Sequence, residues 1–554
     1  MTFPRVWGNW QQWCDNDRLK LLKSTEGEKE MKIYHGAILT VNEKNEVFEY
    51  LVEYRGKIVY TGNELPKKYK HAEVIELGNR ALIPPFADTH QHLASFSAFH
   101  AGLNVMEAAS NREILDMVRD FASAAEGKTL IAFGASPYSV AEGRLVSREE
   151  LDEVTFGKPL FMVKYDGHAC VVNTALLKKL PKKIQKLRGY HPDTGEMNQE
   201  AFFAVSDYIT NSLSIPELIA NMQKAVDFEA SRGIGLIHSV SGVGFALNMD
   251  ISMESWFARR LQNGFQLRIF PQSMDIRAAK ARNLPRIGGC FACALDGCFG
   301  SQDAAMNAPY ANDPTNSGVL YYTDEQVTAF CIEANRAGLQ IEMHAIGDKA
   351  FDQAARALKA ALDDTPREDH RHGIIHACLP TEVGMEICRQ YHIQIPMQIA
   401  FDNWRQEPAA YTEELLGKER NGRLNPVRDF MNLGCTVSFG SDAPCTEPDP
   451  IVWLSKAVNH SNPDQAVSIE DALRMTTFNG YWASFDEKMR GSLEEGKIAD
   501  MVILSANPYT TPKEELIRLN VEELILQGKP YQPQKQSVPE VVLKGMLKRY
   551  RTRA

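Results

Sequence analysis

The segment ALIPPFADTHQH, residues 81–92, ends an apolar run with Asp88, His90 and His92. A short apolar run of this kind is typical of a buried β-strand. Residues two positions apart in a strand point to the same side, so we expect His90 and His92 to converge at the strand end. Two histidines alone also occur in protein cores without a metal. The interpretation therefore depends on what the other strands carry at their ends.

Seven further apolar runs follow and alternate with helical stretches, as βαβ units require. Eight parallel strands are the number that closes a (β/α)8 barrel, so we predict an α/β fold of the TIM barrel type. The predicted strands are ALIPPFADTH (81–90), GIGLIHSV (233–240), LRIFPQSM (267–274), GGCFACALDG (288–297), LQIEMHAIG (339–347), HGIIHACL (372–379), IQIPMQIA (393–400) and CTVSFGSD (435–442).

The two ends of the chain have a different pattern, with short β-like runs and Gly or Asn at the turns. We predict that residues 31–83 and 485–535 form a composite β-sandwich and that residues 84–484 form the barrel. The long stretch at about 100–230, between strands one and two, is predicted to be an insertion that extends over the C-terminal face of the barrel. Residues 536–554 are a basic tail, which is more typical of a solvated helix end than of a polyanion site.

Three more strands end in residues that bind metals. His344 ends strand five, His376 ends strand six and Asp442 ends strand eight. Each histidine alone is more often a core residue, but equivalent strand-end positions in one barrel predict a common metal centre with His90 and His92. Imidazole and carboxylate ligands suit zinc as the default ion, although iron, manganese or nickel also accept them. Asp442 would take a proton from metal-activated water and pass it to the leaving nitrogen.

The composition excludes several other classes of protein. Apolar residues make up 44% of the chain and charged residues 24%, which is typical of a globular protein. The net charge of -10 is spread without long single-sign blocks, so nothing indicates a nucleic-acid partner. No run reaches the roughly 18 apolar residues that span a membrane. With no signal pattern at the start, we expect a cytoplasmic protein.

Ten scattered cysteines favour reduced thiols over a disulfide framework. Cys290 and Cys293 form a lone CxxC in an apolar run, and this pattern favours a core position over a zinc or redox site.

The strand-end residues resemble the amidohydrolase superfamily, whose pattern is HxH after strand one, histidines after strands five and six, and an aspartate after strand eight. The closer resemblance is to the branch that includes N-substituted formamide deformylases. It rests on DGHxxxxN from Asp166 to Asn173, DGCFGSQDA from Asp296, HAIGDxA from His344, and GSLEEGKIADMVIL at 491–504. The resemblance implies a metal-dependent hydrolase of a small molecule, cleaving an amide, N-formyl or cyclic amide bond, often as a homodimer.

The resemblance also implies a feature that strand four lacks. Members with two metals carry a carboxylated lysine there, and GGCFACALDG has no lysine. Either the site holds one ion or Lys164 supplies the bridge between two, because VKYDGH would place residues 164, 166 and 168 on one strand face. A buried amine beside cations shifts toward its neutral, carboxylatable form. The alternative is an ion pair of Lys164 with Asp166 or another carboxylate.

The remaining site residues are predicted from the same motifs. His168 would donate a hydrogen bond to the developing oxyanion, or serve as a structural histidine under the insertion. Asp166 and Asp296 would contact a polar substrate group, and Asp296 could instead orient a metal ligand. Two other functions stay open: deamination of an amino-substituted ring by the same ligand set, and a non-catalytic regulatory or binding role, which the intact ligands disfavour.

Overall fold

The computed structural model describes residues 30–125, 129–242, 245, 248–535 and 537–544. Within these ranges the strands form five hydrogen-bonded sheets of seven, six, three, three and two strands. The strands are β1 (Met31–Leu39), β2 (Val47–Tyr54), β3 (Lys57–Gly62), β4 (Glu73–Ile83), β5 (Phe86–Gln91), β6 (Leu103–Asn104), β7 (Leu130–Ala135), β8 (Leu160–Lys164), β9 (Ala169–Val172), β10 (Tyr190–His191), β11 (Glu196–Asn198), β12 (Ile234–Ser241), β13 (Gln266–Pro271), β14 (Arg286–Gly289), β15 (Gln340–Ala345), β16 (Gly373–His376), β17 (Ile395–Met397), β18 (Val437–Phe439), β19 (Met501–Leu504), β20 (Val521–Leu526) and β21 (Lys529–Pro530).

The helices connect these strands and cover the central sheets. They are α1 (Leu93–His100), α2 (Asn111–Ala124), α3 (Arg148–Val154), α4 (Thr174–Leu177), α5 (Gln199–Thr210), α6 (Ile215–Ser231), α7 (Met249–Arg260), α8 (Arg277–Lys280), α9 (Asp324–Arg336), α10 (Asp348–Asp364), α11 (Glu382–Gln390), α12 (Ala409–Leu416), α13 (Lys418–Asn421), α14 (Val427–Asn432), α15 (Pro450–Val458), α16 (Ile469–Thr476) and α17 (Phe478–Ala483). In the part of the chain that the structure describes, no helix has the length and apolarity needed to cross a bilayer.

Helix α10 illustrates how the connecting helices pack. Its buried residues include Ala350, Ala354, Leu358 and Ala361, which recur at the three- and four-residue spacing of one helix face. Small side chains on that face let the helix lie close to its neighbours in the core. The opposite face carries charged residues and is solvated. The apolar periodicity in the sequence therefore fixes which side of the helix meets the sheets.

Eight parallel strands form the central part of the fold, and all eight follow the order of the sequence. They are β5 and β12 to β18, in the ladders β13-β12-β5, β14-β15-β16 and β17-β18. β13 packs beside β14, β16 beside β17 and β18 beside β5. The fold is thus α/β, as predicted. The ladders of the described residues do not join into one closed ring, so the closed barrel stays a prediction.

The end of strand eight is nevertheless tied to the end of strand one. The backbone N–H of Asp442 donates to the carbonyl of His90 at 2.8 Å, and that of His92 donates to the carbonyl of Ala443 at 2.9 Å. The two segments that carry His90, His92 and Asp442 are therefore held together by the backbone. These backbone hydrogen bonds bring the side chains of His90, His92 and Asp442 close together.

The first predicted strand divides in the structure. Ala81, Leu82 and Ile83 belong to β4, and β5 begins only at Phe86. Pro84 and Pro85 lie between them. Proline has no N–H to donate to a ladder, so the run breaks there and its two halves enter different sheets.

Strands from both ends of the chain share the seven-stranded sheet, in the order β21-β20-β19-β4-β1-β2-β3. Alternate side chains lie on opposite faces: Ile33 and Val52 pack in one apolar cluster, Tyr34 and Leu51 in another. The two terminal segments therefore pair as expected. They form one continuous sheet in the described residues, and the predicted sandwich and domain limits stay predictions.

The predicted insertion contains its own six-stranded sheet, in the order β10-β11-β9-β8-β7-β6. Within it, β8 and β9 form an antiparallel hairpin. A turn follows Lys164, where the N–H of Gly167 donates to the carbonyl of Lys164 at 3.0 Å and Gly167 has φ +70°. The expectation that Lys164, Asp166 and His168 share one strand face is therefore wrong, because a glycine in the left-handed region turns the chain there.

The basic tail is described only in part. Glu540–Lys544 forms a short π-helical turn, and Glu540 pairs with Arg260 at 3.1 Å. Residues 545–554, which carry most of the predicted basic cluster, lie outside the described residues. The interpretation of the tail as a solvated helix end stays a prediction.

Candidate metal centre and active site

The five strand-end side chains predicted to bind a metal, His90, His92, His344, His376 and Asp442, lie together at the carboxyl ends of the central strands. Nε2 of His90 and Nε2 of His92 each lie 3.2 Å from Oδ1 of Asp442. The ring of His376 lies 5.3 Å from that of His90 and 4.5 Å from that of His344, centroid to centroid. Residues separated by up to about 350 positions in sequence thus form one cluster.

The donor atoms of the cluster fit a bound cation. Oδ1 of Asp442 is buried and has no hydrogen-bond partner among the described residues, although two imidazole nitrogens lie 3.2 Å away. Two ligands with bonds of about 2.0–2.1 Å to one tetrahedral zinc ion lie roughly 3.3 Å apart. A buried oxygen without a donor is costly unless something else satisfies it. A divalent ion between these atoms would do so.

Unusual backbone conformations place two of these side chains. His376 has φ +71° and Asp442 has φ +55°, both in the left-handed region that L-residues seldom adopt. Such a residue costs about 1–2 kcal/mol and persists where the surrounding structure enforces it, often at functional sites. In both cases the conformation occurs where a strand has just ended. The turn aims the side chain into the cluster.

Asp88 holds the strand-one end against the strand-eight loop. Its carboxylate accepts hydrogen bonds from the N–H of His90 at 3.2 Å, from the N–H of Ser441 at 3.0 Å and from the hydroxyl of Ser441 at 2.6 Å. Burial raises the pKa of Asp88 to about 7, against the lowering effect of these bonds. The position of Asp88 in the sequence does not predict this role. The structure makes it the residue that aligns His90 with Asp442.

The protonation states of the cluster suit metal binding. Burial lowers the pKa of His90 and of His376, which keeps both imidazoles neutral near pH 7. Neutral imidazole is the form that binds a metal. Burial alone would raise the pKa of Asp442, but the nearby imidazoles of His90 and His92 hold it well below its usual value. Asp442 is therefore ionised.

Cys290 belongs to this cluster, contrary to its predicted position in the apolar core. Its Sγ lies 3.2 Å from Nε2 of His90 and 3.6 Å from Nε2 of His376. Cys293, its partner in the CxxC pair, is fully buried and stays in the core. The backbone separates the two thiols, because β14 ends at Gly289 and residues Phe291–Cys293 form a 3-10 turn. The signal that could have identified Cys290 was its place directly after strand four.

Asp296 is positioned to orient His344. Its Oδ1 lies 3.3 Å from Nδ1 of His344 and accepts from the N–H of Ile346 at 3.0 Å. Its Oδ2 accepts from the N–H of Ala305 at 2.9 Å and of Gly347 at 2.8 Å. The side chain is 1% exposed. Of the two predicted roles, ligand orientation fits this environment better than contact with substrate.

Lys164, Asp166 and His168 line the same cavity as the cluster, on the side of the insertion. Nζ of Lys164 lies 2.8 Å from Oδ2 of Asp166, and the N–H of His168 donates to Oδ1 of Asp166 at 3.1 Å. Burial lowers the pKa of Lys164, but the charge of Asp166 outweighs it and the net shift is upward. This ion pair is the alternative to a bridging carbamate, and the bridging role of Lys164 stays a prediction.

The cavity has a volume of about 1070 Å³ and joins the cluster to an aromatic wall. Phe401 lies over the ring of His376 at 6.1 Å, and Trp404 packs against Phe401 at 4.9 Å. Glu407, which the sequence analysis did not single out, accepts a 2.9 Å hydrogen bond from the hydroxyl of Tyr165. Burial raises the pKa of Glu407 to about 7. The cavity thus combines apolar rings with a few buried polar groups, as ligand sites usually do.

Comparison with known proteins agrees with this geometry. Residues 73–532 match the sequence profile of the Amidohydrolase family. The chain belongs to the amidohydrolase family. N-substituted formamide deformylase of Arthrobacter pascens is 22% identical over 547 residues, covering 90% of this chain and 98% of that protein. Protein LONG AFTER FAR-RED 3 of Arabidopsis thaliana is 25% identical over 471 residues, covering 78% of this chain and 79% of that protein.

A solved structure shares the fold of this amidohydrolase. The crystal structure of an uncharacterised metal-dependent hydrolase from Pyrococcus horikoshii OT3 has a TM-score of 0.70 at 22% identity, covering 87% of this chain and 99% of that chain. The profile match over residues 73–532 confirms the predicted family. Membership supports a hydrolytic enzyme that uses a divalent metal, for which the amidohydrolase chain has the clustered histidines, cysteine and aspartate.

Proposed function

We propose that this amidohydrolase cleaves a carbon–nitrogen bond of a small molecule, in an amide, N-formyl or cyclic amide group other than a peptide bond. The observation that supports this most is the convergence of Asp442 with His90 and His92 at 3.2 Å each. An ionised carboxylate beside two imidazoles, at the wall of a large cavity, suits hydrolysis by an activated water.

The metal ligands that we propose are imidazole nitrogens and a carboxylate oxygen, which would hold one or two divalent ions. Zinc is the first expectation, because it prefers nitrogen and oxygen ligands at this spacing. When bound, the ion would lower the pKa of water to about 7 and polarise the carbonyl under attack. The residues are His90, His92, His344, His376 and Asp442.

Asp442 is the proton carrier in this proposal. It is 7% exposed and faces the cavity, so its carboxylate can accept a proton from the attacking water. The protonated carboxyl then donates to the departing nitrogen, which leaves as a neutral amine. A general base and acid of this kind contributes about 10²–10⁴ to the rate.

The insertion side of the cavity supports a substrate with an apolar body and a polar group. Phe401 and Trp404 offer apolar rings, while Lys164 and Asp166 offer an ion pair. We propose that His168 donates a hydrogen bond to the developing oxyanion. The ion pair with Asp166 favours an ammonium at Lys164. Carboxylation of Lys164 stays a prediction, which intact-mass analysis under carbon dioxide tests.

We also propose that the eight central strands close into one barrel, because backbone hydrogen bonds of His90 and His92 tie strand one to the end of strand eight. The homodimer implied by the resemblance is a further proposal. Light scattering of the purified protein measures the oligomeric state directly.

A substrate panel tests the proposed reaction. The purified chain is loaded with zinc and assayed on N-formyl amines, N-acyl amines, cyclic amides and amino-substituted heterocycles, and each product is identified by mass spectrometry. Release of an amine and an acid, with a loss of at least 10²-fold in Asp442→Asn, supports the proposal. Asp116→Ala, at an exposed carboxylate on α2 that pairs with Arg119, is the control.

Two other outcomes identify the alternatives. Ammonia release from a ring amine alone identifies a deaminase. A chain that binds no metal in stoichiometric amounts, with no turnover of any panel member, contradicts the enzymatic proposal and favours a binding or regulatory role.

A further inference from the structure

Cys290 occupies a position that the proposed ligand set leaves out. It directly follows β14, the fourth central strand, and its Sγ lies close to His90 and His376, which lie near the ends of the first and sixth strands. Its side chain is buried, with the residue 5% exposed. Within the described residues Arg286–Cys290, which are β14 and the position after it, Cys290 alone has a side chain of a metal-binding type. The thiol therefore adds a strand-four group to those from strands one, five, six and eight.

The distances around Cys290 match those between ligands of one ion. A thiolate at about 2.3 Å and an imidazole at about 2.0–2.1 Å from a tetrahedral ion lie roughly 3.5 Å apart. Sγ of Cys290 lies 3.2 Å from Nε2 of His90 and 3.6 Å from Nε2 of His376. Both nitrogens thus lie at ligand spacing from the same sulfur.

Cys290 belongs to two of three overlapping groups of donors, and the third group joins His90, His376 and Asp442. It lies within 4.8 Å of donors of His90 and His92 in one group, and of His344 and His376 in the other. A second, independent feature points to an ion here: Oδ1 of Asp442 is buried beside the first group and has no hydrogen-bond partner among the described residues. The sulfur thus stands between two pairs of histidines.

We propose that the thiolate of Cys290 bridges two metal ions, one also held by His90 and His92 and the other by His344 and His376. This rests on the proposed metal-dependent function and names the group that joins the ions. The thiol loses its proton to solvent when it binds, and the sulfur donates one lone pair to each ion. Lys164 is then not needed as a bridge and stays paired with Asp166.

Cobalt substitution tests the bridge without any substrate. The full-length chain is stripped of metal, loaded with Co²⁺, and measured by absorption spectroscopy and by elemental analysis. We expect two ions per chain and a near-ultraviolet thiolate-to-cobalt charge-transfer band. Cys290→Ala and Cys290→Ser should lose the band, retain at most one ion per chain and bind it more than about 100-fold more weakly, since loss of even an outer-shell partner costs 10–100-fold.

Cys293→Ala is the matched control, because this thiol is buried three residues away and lies outside the cluster. It should keep both ions and the band. Cobalt bound to the unmodified chain without the band would overturn the proposal while leaving the metal-dependent function intact. One ion per chain with the band would overturn the bridging position. A chain that binds no cobalt or zinc at all would instead contradict the proposed function itself.

Discussion

Replacing Asp296 by alanine removes the acceptor of three buried backbone N–H groups. These are the N–H groups of Ala305, Ile346 and Gly347, at 2.9, 3.0 and 2.8 Å from the carboxylate. Asp296 is only 1% exposed, so bulk water does not readily replace the lost acceptor. The segment that carries His344 would therefore lose its anchor.

The expected loss follows from the number of bonds. A hydrogen bond to a charged acceptor contributes about 1.5–3 kcal/mol, so three bonds at the lower figure contribute about 4.5 kcal/mol. A tenfold change in an equilibrium corresponds to about 1.4 kcal/mol. Local opening of the 344–347 segment should therefore become about a thousandfold more frequent in Asp296→Ala. Partial relaxation around the small side chain reduces this to no less than about a hundredfold.

Hydrogen–deuterium exchange measures this opening directly, since amides exchange through local unfolding. Peptides covering residues 303–306 and 344–349 should exchange about 10²–10³ times faster in Asp296→Ala, with slower exchange restored in part by Asp296→Asn, which keeps one acceptor oxygen. Asp116→Ala, at an exposed carboxylate, should leave these peptides unchanged. The metal content of Asp296→Ala should fall as well, because Nδ1 of His344 lies 3.3 Å from the lost carboxylate.

Exchange within tenfold of the unmodified protein would refute this reasoning. If KM alone rose in Asp296→Ala while the exchange rates and the metal content stayed constant, Asp296 would be a substrate-binding residue. The positioning role would then be wrong.

Three further predictions concern other parts of the structure. Gly440→Ala should lower both the bound metal content and the Tm, because a Cβ there would lie 2.5 Å from the backbone nitrogen of His90. Elemental analysis and calorimetry measure the two effects. Burial raises the pKa of Glu254 to about 8 against the hydrogen bond from Ser241, so its protonated form is favoured on folding. Its contribution to stability is therefore complete below pH 4.5 and lost as the pH rises through about 8, and Glu254→Gln should flatten the Tm between these values. Asn173→Ala should destabilise the insertion by about 2–4 kcal/mol. The Oδ1 atom of Asn173 accepts from the N–H groups of Leu160 and Leu176, and its Nδ2 donates to Thr155 and to the carbonyl of Lys158. Limited proteolysis of the insertion measures the loss of stability.

Each of these has a matched comparison. Gly422→Ala, where the nearest atom to a new Cβ is 3.4 Å away, should be tolerated; equal effects at both glycines would contradict the close-approach argument. Glu382→Gln at the surface should leave the Tm profile unchanged, and the same slope in Glu254→Gln would show that another group titrates. Unchanged protease resistance of Asn173→Ala would mean that its motif serves the substrate rather than the fold.

The sequence predicted the central strands because each is an apolar run bounded by turn residues. It also predicted the histidine and aspartate cluster, since parallel strands bring their carboxyl ends to one edge. The break at Pro84 and Pro85 was readable and was missed, because the apolar run continues through both residues. Cys290 was missed for a related reason: a thiol in an apolar run has the composition of a core residue.

The positions that could not be predicted depend on backbone turns. Lys164 was placed on one face with His168 because alternation was assumed to continue, whereas the left-handed Gly167 ends it. The role of Asp296 depends on N–H groups from two distant segments, around Ala305 and Gly347. No local sequence pattern predicts that these segments lie close together. The residue types alone predicted which side chains could bind a metal. The hydrogen-bond partners of these side chains could be identified only from the three-dimensional structure.

The shared sheet at the chain ends has a consequence for biosynthesis. β4 is complete at Ile83, but its neighbour β19 starts only at Met501, about 420 residues later. At 5–20 residues per second the ribosome needs about 20–80 seconds to cover that span. During this interval the edge of β4 is unpaired and open to other nascent strands. The newly made protein should therefore depend on chaperones until its last strands emerge.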